Sequence, residues 1–212
     1  MNVLVACEES QRVAKAFEKE GAIAFSCDIQ KCSGNRPDIH ILSDCTKLFK
    51  DNVEFITQDG VKHYIDKWDI LIAHPPCTYF SKAGARWLYK NGELNKERYN
   101  KMLKAKELFF ACLNAPIKYI AVENPTPMKI CNLPKHSCVI QPYQFGDPYT
   151  KRTLLWLKNL PPLNSTLIVK PKGLNFVVDL AHTSVERSKT FYGIANAMAE
   201  QWYTYVKQFE KR

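Results

Sequence analysis

Two short apolar runs, each closing on a residue with reactive chemistry, constrain this chain more than any other feature. Residues Asp69 to Ala73 run into His74, Pro75 and Pro76 and then present Cys77. Residues Ile117 to Val122 run into Glu123, Asn124 and Pro125. Short continuous apolar runs bounded by turn residues suit strands buried on both faces, the pattern of a parallel sheet. Further runs of this kind are residues 2–7, Ala22 to Cys27 closing on Asp28, and Ile39 to Leu42 closing on Asp44. Two amphipathic stretches alternate with them. Glu9 to Glu18 carries Val13, Ala16 and Phe17 on one face and stops at Gly21, and Asn95 to Leu113 carries Tyr99, Met102, Phe109 and Leu113 and ends before Pro116. The alternation predicts an α/β fold with a doubly wound, mostly parallel sheet. In such a sheet ligands bind at the carboxyl ends of the strands. Cys77 and Glu123 are therefore expected at one edge. A thiol and a carboxylate meeting there suit covalent attack on an electron-poor ring.

The rest of the chain is less regular. Residues 46–67 mix apolar residues with the turn pair Asp59-Gly60, and residues 82–95 read as a polar loop carrying Trp87 and Tyr89. In the last third, Val139 to Tyr143, Leu154 to Leu157 and Leu167 to Val169 read as short strands, and Ser184 to about Gln208 as a final helix. No linker or internal repeat divides the chain, so residues 1–212 are expected to form one domain.

Bulk properties exclude some classes. No apolar run is long enough to span a bilayer, and the amino terminus opens directly on a strand without a leader, so no membrane partner and a cytoplasmic location are expected. Cys7, Cys27, Cys77 and Cys112 lie in or beside apolar segments, which favours reduced thiols over disulfides. Cys131, His136 and Cys138 fit no standard zinc spacing, and Cys77 lacks the second cysteine of a zinc deaminase, so no metal is expected. Thirty Lys and Arg against 21 Asp and Glu give a net charge of +9, which favours a polyanionic partner, nucleic acid first.

In order and spacing, the chain resembles the DNA cytosine-5 methyltransferase family, in a compact form similar to bacteriophage-encoded members. The family's Pro-Cys loop with Phe-Ser and Gly matches Pro76-Cys77-Thr78-Tyr79-Phe80-Ser81 and Gly84. Its Glu-Asn-Val motif matches Glu123-Asn124, with Pro125 in place of Val, its Tyr-Gly-x-Pro-Gln-x-Arg-x-Arg segment resembles Phe145 to Thr153, and its late Gly-Asn-Ala-Val helix resembles Ala195 to Met198. The match runs from residue 3 to about residue 203. The resemblance implies a three-layer, Rossmann-type fold with S-adenosylmethionine as cofactor and DNA as partner, a cytosine being flipped into the site. It implies Cys77 as nucleophile, Glu123 on the N3/N4 edge of the ring, and Lys151 or Arg152 at the base carbonyl or a flanking phosphate. For the cofactor it implies Cys7, Glu8, Asp28, Ile29, Asp44, Cys45, His74, Pro75 and Asn196, with Asp28 on the ribose and Asp44 on the adenine amine. A phage-type member would work in the host cytoplasm, as a monomer or small homo-oligomer.

The chain also departs from the family. The glycine-rich first loop is here Ala6-Cys7-Glu8-Glu9-Ser10-Gln11, with no glycine. The family's target recognition domain is reduced to a segment around residues 158–180, so weak sequence selectivity is expected. These departures keep two alternatives open. One is the same fold modifying a free or single-stranded cytosine nucleotide, or transferring a group other than methyl. The other is a non-enzymatic nucleic-acid-binding protein on this scaffold.

Overall fold

The apolar runs fold as neighbouring strands of one sheet, in a computed structural model that describes residues 1–173 and 183–210. In chain order the elements are β1 (Asn2–Ala6), α1 (Arg12–Lys19), β2 (Ile23–Asp28), β3 (His40–Leu42), β4 (Val53–Ile56), β5 (Lys62–Ile65), β6 (Ile70–Ala73), β7 (Tyr89–Lys90), β8 (Glu93–Leu94), α2 (Lys96–Leu113), β9 (Tyr119–Pro125), β10 (Cys138–Ile140), β11 (Thr153–Lys158), α3 (Ser184–Ser188) and α4 (Tyr192–Glu210). The main sheet has seven strands in the order β10-β11-β9-β6-β1-β2-β3.

Strands β3, β2, β1, β6 and β9 are mutually parallel. β11 is antiparallel to both β9 and β10. The sheet is therefore mixed, with five mutually parallel strands and two antiparallel pairings at one edge, which meets the mostly parallel expectation in part. Parallel neighbours need a long crossover, whereas antiparallel neighbours can be joined by a short connection. Between β9 and β11 the chain has β10, loops and 3₁₀ turns but no α-helix to cross over, so β11 returns antiparallel.

The topology places the helices. The β1–α1–β2 unit steps toward β3, whereas β6–α2–β9 steps toward the opposite edge. Crossovers of this kind are right-handed in nearly all cases, which puts α1 and α2 on opposite faces. α4 packs against α1, and α2 against β9. Three layers result, with the direction of winding reversing between β1 and β6. The core follows: Val3 to Ala6 and Ile70 to Ala73 are buried, as are Val13 and Phe17 of α1, Met102 and Phe109 of α2, and Ala195, Met198 and Trp202 of α4.

Several elements differ from expectation, each for a local reason. The first helix begins at Arg12 rather than Glu9, because the Glu8 carboxylate accepts from the amides of Val13 (2.7 Å) and Ala14 (3.2 Å) and thereby sets the start. Residues 46–67 hold the hairpin β4–β5, turned on Asp59-Gly60 and packed through Phe55 on Phe25 of β2. The 82–95 loop contains a 3₁₀ turn and the small hairpin β7–β8, whose Asn91 (φ 53°) and Gly92 (φ 83°) supply the left-handed pair of a two-residue turn. Leu167 makes only a single bridge to Phe145 instead of belonging to a strand. The final helix is broken into α3 and α4 at residues 189–191, where Lys189 is extended and the Thr190 carbonyl accepts from Arg12. Residues 174–180 of the reduced recognition segment lie outside the described residues.

Candidate active site

β6 ends where its backbone can no longer pair. The His74 amide makes a last bond to the Ala6 carbonyl (3.0 Å), after which Pro75 and Pro76 have no N–H to donate. The chain turns out of the sheet and reaches Cys77. That turn is held from β9: Asn124 Nδ2 donates to the Pro75 carbonyl at 2.7 Å. Beyond Cys77 the loop is strapped down repeatedly. Phe80 and Ser81 donate their amides to the Cys77 carbonyl, Met128 N donates to Phe80 O (2.7 Å), and Lys82 N donates to Thr126 O (3.0 Å). The Phe80 ring lies in the core, edge-on to Phe109. Arg98 of α2 donates to the Thr78 carbonyl (2.9 Å) and lies over the Tyr79 ring. Gly84 closes this corner, where a Cβ would sit 2.7 Å from Arg98 Nη2 and 2.8 Å from the Thr78 carbonyl.

Glu123 arrives from the neighbouring strand. β6 and β9 pair with Ala73 opposite Val122, so Glu123 emerges level with His74. Their side chains meet, His74 Nδ1 lying 3.0 Å from Glu123 Oε2. Both are largely buried, at 7% and 14% side-chain exposure. Burial alone would raise the Glu123 carboxyl, but the His74 hydrogen bond, the Lys151 charge and the His74 charge outweigh it and hold the group below the usual carboxylate range. Cys77 has the opposite balance. Burial first, then the Glu123 charge, pushes its thiol up against the opposing influence of Lys151 and Arg187. Cys77, Glu123, His74 and Lys151 thus share one electrostatic environment at the carboxyl edge.

Lys151 and Arg152, indistinguishable in sequence, are separated by the fold. Lys151 is half-buried, its amide donating to Gln141 Oε1 and its ammonium to the Arg187 carbonyl (2.8 Å), and its charge reaches both Cys77 and Glu123. Arg152 is exposed.

The other predicted residues lie at or just beyond the carboxyl ends of β1, β2, β3 and β6, apart from Asn196 on α4. The first loop takes glycine-like conformations without glycine: Cys7 has φ 58° and Gln11 φ 60°. Each costs on the order of 1 kcal/mol for an L-residue. Gln11 is held in place by its buried side chain, which accepts from Arg36 N (3.0 Å) and donates to Arg36 O (2.6 Å). Asp28 closes β2 half-buried, accepting from Gln30 N, and burial raises its carboxyl. Ile29 beside it is 79% exposed. Asp44 is exposed and caps the turn Cys45–Leu48 by accepting from Thr46 N and Oγ1. Cys45 is buried, its sulfur 3.9 Å from that of Cys7. Pro75 is buried and offers its carbonyl to Asn124. Asn196 lies exposed on α4.

Two of these residues have side-chain partners within the protein. The Glu8 carboxylate is taken up by the amino-terminal amides of α1, and the His74 ring is turned to Glu123. Sequence reasoning missed Asn124, Arg98 and Gln11 as the residues that shape the site. Asn124 had a signal, its place beside Glu123 at a strand end. The other two had none, because their partners are backbone groups 20 to 25 residues away in sequence. All eight cysteines carry free thiols. Among the described residues no cluster of His, Cys, Asp and Glu suits a metal ion, and no helix is long and apolar enough to cross a membrane.

No family model matches the chain, and no curated protein does either. Among solved structures it is similar to a prophage-encoded protein of E. coli, provisionally described as a DNA modification methyltransferase, at 13% identity and a TM-score of 0.44. The alignment covers 74% of this chain and 46% of that one, so this chain spans less than half the length of the protein it matches.

Proposed function

We propose that this chain transfers a methyl group to C5 of cytosine in DNA through a covalent bond from Cys77 to C6. What supports the reading is that Cys77 follows β6 and Glu123 lies in neighbouring β9 level with His74, so that the Glu123 charge acts on the thiol and the Lys151 charge on both. Unaided, C5 is too weak a nucleophile to accept a methyl group. The Cys77 thiol first loses its proton to solvent. The thiolate then forms a bond to C6, and the C5=C6 electron pair makes C5 nucleophilic. N3 takes a proton from solvent as the thiolate approaches, and Glu123, held anionic, accepts from that N3–H and from the N4 amino group, which makes C6 more electrophilic. Lys151 counters the charge that gathers at the thiolate and carboxylate. After transfer a base removes the C5 proton, its electron pair restores C5=C6, and the C6–S bond breaks to return the thiolate.

S-adenosylmethionine would occupy a crevice at the winding reversal between β1 and β6. Asp28 would hold the ribose hydroxyls and exposed Ile29 would cover the adenine face. When bound, it supplies an electrophilic methyl group. Glu8 and Cys45 would shape this crevice without touching the donor. The partner is DNA, consistent with the net charge of +9. The glycine-free first loop favours a second reading, in which the group transferred is not methyl.

Mass spectrometry of nucleosides from DNA of cells expressing the protein tests both readings. The expected product is 5-methyldeoxycytidine, lost in the C77S variant. A heavier cytosine adduct supports the second reading, and unmodified cytosine overturns both. Mapped across a genome, modification should spread over short, loosely defined contexts.

A further inference from the structure

His74 connects two buried carboxylates that the proposed mechanism treats separately. Its Nδ1 lies 3.0 Å from Glu123 Oε2. Glu8 also acts electrostatically with this ring, which opposes the effect of burial on the Glu8 carboxyl. Glu8 is fully engaged at the start of α1, by Val13 N and Ala14 N and, weakly, by the Ser10 hydroxyl at 3.5 Å. It cannot swing toward the ring without uncapping the helix. His74 Nε2 is buried and has no hydrogen-bond partner among the described residues. The ring therefore has a single protein partner for a proton, Glu123, through Nδ1. The His74 amide is the last rung of the β6 ladder, so its backbone is fixed by the sheet.

We propose that His74 is a positioning residue for Glu123, donating from Nδ1 to Oε2 so that the carboxylate stays anionic and presents Oε1 to the pyrimidine edge. The inference rests on the proposed cytosine chemistry for its consequence in turnover, but the pairing itself is independent of it. The groups facing Glu123 are His74 from the exit of β6, Cys77 from the loop beyond, and Lys151 from the segment before β11. Glu8, from the loop after β1, faces His74. Removing the ring leaves burial opposed by Lys151 alone. The Glu123 carboxyl should then titrate higher, and the acid limb of kcat/KM, which follows the free enzyme, should move with it.

The test is titration of Glu123 by carbon-13 NMR of the carboxyl in the protein without DNA, for wild type, H74L and H74N. Asn carries its amide near the position of Nδ1, so H74N keeps the donor. Glu123 should titrate below the ordinary glutamate range in wild type, clearly higher in H74L, and close to wild type in H74N. With DNA, H74L should lose at least tenfold in kcat with KM for DNA little changed, and H74N should recover most of the loss. An unchanged Glu123 titration in H74L overturns the proposal, whatever happens to activity. So does a variant whose only defect is weaker S-adenosylmethionine binding by calorimetry, since that would make His74 a cofactor residue. If no variant and no wild type modifies DNA, the cytosine reading fails while the NMR still decides the pairing. H74N guards against a fold lost in H74L: a folded H74N in which Glu123 titrates clearly above its wild-type position also overturns it.

Discussion

Replacing Asn124 with Ala should expose how much of the site depends on one hydrogen bond. Asn124 is 1% exposed and donates to the Pro75 carbonyl at 2.7 Å. The substitution leaves that carbonyl without its donor beneath the Pro-Pro corner. An orphaned buried acceptor costs about 1–3 kcal/mol. For a chain of this size each kcal/mol corresponds to roughly 2–4 °C in Tm, so a fall of about 4–8 °C is expected for the middle of that range. The effect on chemistry should be larger than the effect on stability. Phe80, Ser81 and Arg98 still hold the far side of the Cys77 loop, so the fold survives, but the near side is released. A shift of about 1 Å at a reacting atom can cost on the order of 100-fold in rate. The assay is the rate of covalent trapping on an oligonucleotide containing 5-fluorocytosine, whose C5 substituent cannot leave as a proton, read beside calorimetric Tm. Asn159→Ala is the control, since its 2.8 Å bond to the Lys118 carbonyl is exposed and remote from Cys77. A trapping rate for Asn124→Ala equal to that of wild type, with Tm lowered as expected, would refute the claim that this clamp positions the nucleophile.

Cys77→Ser should abolish trapping while leaving Tm and salt-dependent DNA binding nearly unchanged; retained turnover in this variant rules out Cys77 as nucleophile. Because burial and Glu123 raise the Cys77 thiol, the thiolate is the minor species near neutral pH, and its fraction rises about tenfold per pH unit below the thiol pKa. kcat/KM should therefore climb steadily with pH above neutrality, and a flat profile there would show that thiol ionisation does not limit the rate. Lys151→Ala should depress trapping because it removes the cation that lowers both Cys77 and Glu123, whereas Arg152→Ala should leave trapping intact and reduce the salt slope of DNA binding by about 1 if it meets a phosphate. Gly84→Ala should destabilise by about 1–3 kcal/mol in urea unfolding, because its Cβ has no room beside Arg98 and the Thr78 carbonyl.

Much of this architecture was legible in the residues. Val3 to Ala6 and Ile70 to Ala73 are apolar without interruption because both faces of their strands are covered, and that pattern survives in sequence. The two prolines before Cys77 announced the end of β6, since they cannot continue a buried ladder, whereas β9 runs on through Glu123 to Pro125, paired with β11. The reversal of the last strands was not legible. Whether β11 runs with or against β9 depends on the lack of a crossover helix between them, a property of the whole 126–152 connection rather than of any residue in it.

The sequence by itself determined the set of chemical groups: a thiol behind Pro-Pro, a carboxylate at a strand end, acids after the second and third strands, and a basic balance. Only the tertiary structure decided their pairing. It turned His74 to Glu123, gave Glu8 to the start of α1, left Lys151 half-buried and Arg152 exposed, and clamped Pro75 with Asn124. The physical reason is range. Burial pattern and backbone restriction are local and leave a periodic trace in the chain. A hydrogen bond between residues 49 apart, such as His74 to Glu123 or Asn124 to Pro75, exists only once the sheet has set its register.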